Sequence, residues 1–175
     1  DGWVLGGGLG ATVPLGRTEE NPYALAERSE KHQHMQMGSG TVDPAFSLSS
    51  AWTGAKWGGT LTSSGSMPVA ENRHGYKPTP VLRFSGGPTY TINPSFITTA
   101  EVSLAREWQA EWDGEPDRMS GRTVLTAGGA LIYRINPSWA TMIQGHSTLG
   151  QWSDAGLILQ RYKGTIGVSW TPKPR

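Results

Sequence analysis

The chain of 175 residues balances 15 Lys and Arg against 14 Asp and Glu, a formal net charge of +1, so it lacks the basic field that nucleic-acid binding needs. It has no Cys, which excludes disulfides, zinc–thiolate centres and thiol nucleophiles. The length predicts one domain, no apolar run approaches the roughly 18 residues of a transmembrane helix, and 24 Gly among many Ser, Thr and aromatic residues point to β-structure.

Apolar and polar residues alternate first over 3–15, which predicts a strand. A polar connection follows over 16–40. Within it Tyr23 to Lys31 holds good helix formers but is charged on all sides, so it is expected to be loop or a short surface turn. Arg17, Glu19, Glu20, Glu27, Arg28, Glu30 and Lys31 leave this connection too little apolar surface to order itself, and it is expected to be mobile unless pinned from outside. His32, His34, Met35 and Met37 form a metal-like cluster, because alternate imidazoles of an extended segment project to one side and thioethers suit Cu(I). The set is incomplete as a ligand shell, and the alternative is a solvated loop; copper is the cofactor to test, with zinc as the other ion two imidazoles suit.

Further alternation predicts strands at 41–53, 55–67, 79–92, Phe96 to Trp112, Val124 to Ile135, 139–149 and Leu157 to Trp170, eight in all. Short turns fall at Thr53–Lys56, Ile92–Ser95 and Ile135–Ser138, whereas longer polar connections fall at 16–40, 68–78 and 113–122, with a shorter one at 150–156. Two segments repeat one hairpin, each carrying an Ile-Asn-Pro-Ser turn with an aromatic residue directly after it. Short turns at one end and long loops at the other predict an all-β, antiparallel, up-and-down transmembrane β-barrel over 1–171, with extracellular loops, periplasmic turns and a short periplasmic tail at 172–175.

Trp3, Trp57, Phe96, Trp139 and Trp170 gather at the short-turn end as an interfacial aromatic girdle, and Trp108 and Trp112 are expected in the opposite one. Arg106 lies on the apolar side of its strand, ten residues beyond Phe96. Ten residues climb roughly 25 Å at the usual tilt, so its guanidinium reaches the far headgroups. The opposite phase turns Glu101, Glu107 and Glu111 toward the lumen, together with Lys56, Arg83, Arg134, Arg161 and Lys163. These charges either plug a closed barrel or line a conduit. No catalytic residues are assigned, since His74 falls in a loop and His146 next to Ser147 points to the opposite face from it. A soluble β-sandwich or lipocalin-like barrel is the competing fold, with its polar faces in water.

The run Gly6-Gly-Gly-Leu-Gly-Ala-Thr-Val-Pro-Leu-Gly16, the run His34-Met-Gln-Met-Gly-Ser-Gly-Thr-Val-Asp-Pro44 and the Tyr-x-Ile-Asn-Pro-Ser turn together resemble a bacterial outer-membrane transporter family connected with phenol degradation. The resemblance covers nearly the whole chain. It implies a channel or passive transporter in the outer membrane for small molecules, hydrophobic ones among them, with lipid and lipopolysaccharide as its surroundings. Members of that family carry further strands ahead of the glycine-rich one, so the chain is expected to be either a complete eight-stranded relative or part of a wider barrel. The terminal Thr171-Pro-Lys-Pro-Arg175 departs from the final aromatic residue common in such barrels. The alternative function is a closed barrel with a structural, surface-binding or metal-binding role.

Overall fold

The computed structural model describes residues 2–31, 38–153 and 160–172. Its elements are β1 (Gly2–Thr12), α1 (Pro22–Glu27), β2 (Asp43–Thr53), β3 (Trp57–Ser66), β4 (Tyr76–Lys77), β5 (Val81–Asn93), β6 (Phe96–Glu107), β7 (Glu111–Trp112), β8 (Glu115–Pro116), β9 (Arg122–Asn136), β10 (Trp139–Trp152) and β11 (Tyr162–Trp170). Eight long strands form one sheet in the order β1-β2-β3-β5-β6-β9-β10-β11, each antiparallel to its neighbours. The chain is therefore an up-and-down meander with eight sheet strands where the alternation puts them.

Closure is the first correction. The sheet is open: among the described residues β1 pairs only with β2 and β11 only with β10. An eight-stranded barrel needs an interior packed with side chains. Here the face of β1 to β3 that would turn inward carries Gly6, Gly8, Gly10, Ser47, Ser49, Thr62 and Ser64, too small to fill one. Asp43, Gly65 and Ala130 are the sheet's buried residues among those described.

The second correction concerns 96–112, predicted as one strand. Strand β6 ends at Glu107, and Glu111–Trp112 joins β4 and β8 in a separate three-stranded sheet. This small sheet belongs to a cap made from the long connections. Trp112, only 6% exposed, packs on Tyr76 with ring centroids 4.8 Å apart, while Lys77 pairs with Glu111 at 3.1 Å. Asn72 ties the parts together, donating to the Ser39 carbonyl at 2.9 Å and accepting from the His74 and Tyr76 backbone N–H groups.

The 16–40 connection differs from its expectation in its described part. Pro22 at the first turn and Asn21 as N-cap start a short helix, the Asn21 oxygen accepting from the Tyr23 and Ala24 N–H groups. The amide of Asn21 donates to Asp113 at 2.7 Å and the Tyr23 hydroxyl donates to Asp117 at 2.6 Å. Other loops thus supply the order that the segment's own composition cannot.

At the opposite end the two repeated turns are built alike. The Asn93 side chain accepts from the Ser95 and Phe96 N–H groups, and the Asn136 side chain accepts from those of Ser138 and Trp139, all at 2.9–3.0 Å. Pro cannot donate, so Asn bonding across it to the next two N–H groups closes a tight reversal.

Candidate functional site

The strand pairings assign every sheet residue to one of two faces, because directly paired residues share a face. One face is apolar, and no described residue covers it. Leu5, Leu9, Leu48, Leu61, Phe84, Val102, Leu131, Ile143, Ile166 and Val168 all lie on it exposed, Leu9 at 93% and Ile166 at 78%.

Each of the eight strands also carries one aromatic ring near the short-turn end of this face: Trp3, Trp52, Trp57, Tyr90, Phe96, Tyr133, Trp139 and Trp170. Trp57 meets Tyr90 at 4.7 Å, Phe96 stacks on Tyr133 at 4.8 Å and Trp139 lies 6.4 Å from Trp170. Sequence inspection found five members of this band and missed Trp52, Tyr90 and Tyr133. Each of the three is the cross-strand or near-cross-strand partner of a ring already identified, so the pairing register was the signal that could have found them.

The band is staggered. Trp52 pairs with Gly59, Tyr90 with Thr98 and Tyr133 with Thr141, so Trp57, Phe96 and Trp139 each sit two residues nearer the turns. The other steps are level. Three two-residue steps in one direction across seven pairings, at about 3.3 Å per residue and about 4.8 Å between strands, incline the band by about 30° to the hydrogen-bond direction.

The other face is polar and bears the charges. Glu101, Gly128, His146 and Lys163 form one row across β6, β9, β10 and β11. The His146 Nε2 stands 3.6 Å from Glu101 Oε1 and 3.3 Å from the Gln144 amide nitrogen. One step toward the long loops, the Ser103 and Thr126 hydroxyls share a 2.7 Å hydrogen bond, and the Thr148 backbone N–H donates to the Arg161 carbonyl. Glu101, Ser103, Thr126, His146, Arg161 and Lys163 line a concavity of about 290 Å³. Nearer the long loops Arg122 grips Glu107 as a fork, Nε at 2.7 Å and Nη2 at 3.4 Å, while the Arg83 guanidinium approaches the same carboxylate at 3.6 Å.

Of the residues expected to share a lumen, Arg83, Glu101, Glu107, Arg134 and Lys163 lie on the polar strand face, and Arg161 precedes β11 in continuation of it. Lys56 instead occupies the β2–β3 turn, and Glu111 pairs with Lys77 in the cap, because the chain leaves the sheet after Glu107. Trp112 likewise departs from the girdle into the cap's core, whereas Trp108 remains exposed. Arg122 and His146 were missed. Arg122 extends the even-numbered polar phase of β9 two residues upstream of Val124, and His146 has no partner near it in sequence.

His32, His34, Met35 and Met37 lie outside the described residues. Among the described residues no three His, Asp or Glu side chains converge as metal ligands. No family model, no curated protein and no solved structure matches the chain.

Proposed function

We propose that the sheet is the wall of an outer-membrane β-barrel and that its polar face lines a passive conduit for small solutes. The staggered aromatic band carries this reading. One ring per strand on an exposed apolar face is the arrangement of an interfacial girdle, and an inclination of about 30° approaches the tilt of about 35–45° at which strands cross a bilayer in such barrels. A soluble sandwich would bury this face against a second sheet, whereas its residues are exposed and the other sheet among the described residues, β4-β7-β8, has strands of only two residues. The resemblance to outer-membrane transporters points the same way. Solutes pass by shape and charge, with no chemical step assigned to any side chain.

The polar face favours anions. Arg83, Arg122, Arg134, Arg161 and Lys163 outnumber Asp43, Glu101 and Glu107 among its described charges. A second reading, a closed structural barrel, draws support from the interlocked cap and from the Arg83–Glu107–Arg122 cluster, in which one carboxylate bridges two guanidiniums. Refolding the chain into liposomes and recording planar-bilayer currents separates the two. Stable insertion with salt-dependent conductance and a reversal potential displaced toward anions is expected. Insertion without conductance would leave the structural barrel, and failure to insert by a form in which both β1 and β11 are edge-paired would end the membrane reading itself.

A further inference from the structure

The apolar face carries a single charge among its described strand residues, Arg106. It sits at the long-loop rim, paired across strands with Leu82 on one side and Thr123 on the other. Its Nη1 donates to the Thr123 hydroxyl at 2.8 Å, which fixes the guanidinium, and its carbon centre lies 5.8 Å from the Trp108 ring. The register places Trp152 beyond Thr123 in the same row. Arg106, Trp108, Gln109, Gln151 and Trp152 line a concavity of about 540 Å³. No carboxylate among the described residues pairs with Arg106.

We infer that this rim cleft is a binding site for the phosphate of a membrane lipid, held by Arg106 between Trp108 and Trp152. The inference rests on the membrane reading above. The chemistry follows from the parts: a guanidinium already steadied by a neutral hydroxyl and an indole keeps its remaining N–H donors for an oxyanion. Two indoles with apolar bodies and polar edges suit the depth where acyl chains give way to headgroups. The cleft is continuous with the apolar face through Leu82, Leu104 and Leu125, so acyl chains attached to the phosphate have a surface to lie on. Free phosphate would gain the charge contact but leave the apolar walls wet.

The test uses the full chain refolded into an uncharged, phosphate-free detergent, with phosphatidic acid as probe and diacylglycerol of the same acyl chains as its uncharged counterpart, read by native mass spectrometry. The wild type should retain phosphatidic acid at one tight site, with weaker retention of diacylglycerol. Arg106→Gln should weaken phosphatidic acid about tenfold, the loss of one charge-assisted contact of about 1.4 kcal/mol, and leave diacylglycerol unchanged. Trp108→Leu should weaken both lipids. Equal retention of phosphatidic acid by wild type and Arg106→Gln would overturn the site, as would displacement of the lipid by millimolar inorganic phosphate alone. Failure to enter liposomes of any composition by a form in which both β1 and β11 are edge-paired refutes the membrane reading instead, an outcome visible before any lipid is titrated.

Discussion

The imidazole of His146 lies across Gly128 and brings Nε2 to 3.6 Å from the Glu101 carboxylate, two strands away. The bare Cα of Gly128 is what permits this reach, since a Cβ there would collide with the His146 ring and with the Gly145 carbonyl. Gly128→Ala should therefore cost stability, by about 1–3 kcal/mol as an overpacked site does, and expel His146 from Glu101. Gly145, whose Cβ position has nothing within 4 Å, supplies the control. Urea unfolding followed by circular dichroism should show Gly128→Ala well below wild type and Gly145→Ala unchanged. Equal midpoints for all three would contradict the packing described.

Glu107 answers two arginines at once, so its removal leaves Arg83 and Arg122 facing each other without a counter-charge. Glu107→Gln should lower stability by about 1–2 kcal/mol, less than a buried pair would lose because Arg83 is more than half exposed. In a conducting barrel it should also move the reversal potential further toward anions, and Glu101→Gln should do the same. A plugged barrel would show the stability loss alone.

The cap carries its own pH dependence. Burial, then the hydrogen bond and the negative charge of Asp117, push the Tyr23 hydroxyl up to about 12 from its ordinary 10.0. The folded state holds that proton more tightly than the unfolded chain, so the contribution to stability is whole below pH 10 and is lost as pH rises through about 12. The helix should detach from the β7–β8 hairpin across that window, read as faster proteolysis between Tyr23 and Lys31. Tyr23→Phe should flatten the dependence and leave the cap weakly held at every pH.

Asn93 and Asn136 each satisfy two backbone N–H groups of a turn through one side-chain oxygen. Asn93→Ala and Asn136→Ala should each destabilise by about 1 kcal/mol, and the Asp variants, which keep the acceptor, should recover most of it. Thermal unfolding of the four variants checks this. Aspartate variants as unstable as the alanine ones would show that the amide nitrogen matters instead.

The sheet was legible because period-two alternation over ten or more residues leaves little freedom of interpretation: all eight predicted strands occur, and the repeated Ile-Asn-Pro-Ser turns lie where the sequence repeats. The cap was not legible. Its contacts join Asn21 to Asp113, Tyr23 to Asp117 and Ser39 to Asn72, pairs too far apart in sequence for any periodicity to reveal. Trp112 was misplaced for the same reason, since its phase continued that of β6 after the chain had left the sheet. The His146–Glu101 approach needed the registers of β6, β9 and β10 together, and sequence alone fixes none of them.

The two free strand edges bear on how such a sheet could ever reside in hydrocarbon. Strand β1 runs for 11 residues and β11 for 9, and along each outer margin alternate residues point an N–H and a C=O at no strand among the described residues. In water these groups are solvated at little cost; in a bilayer core each costs several kcal/mol, so the roughly twenty such groups on about ten outward residues together outweigh the whole stability of an ordinary domain. The meander therefore enters a membrane only once a seam is made, either β1 against β11 or each against a further strand. Until then it behaves as an adhesive ribbon, and the order of assembly is sealing first, burial second.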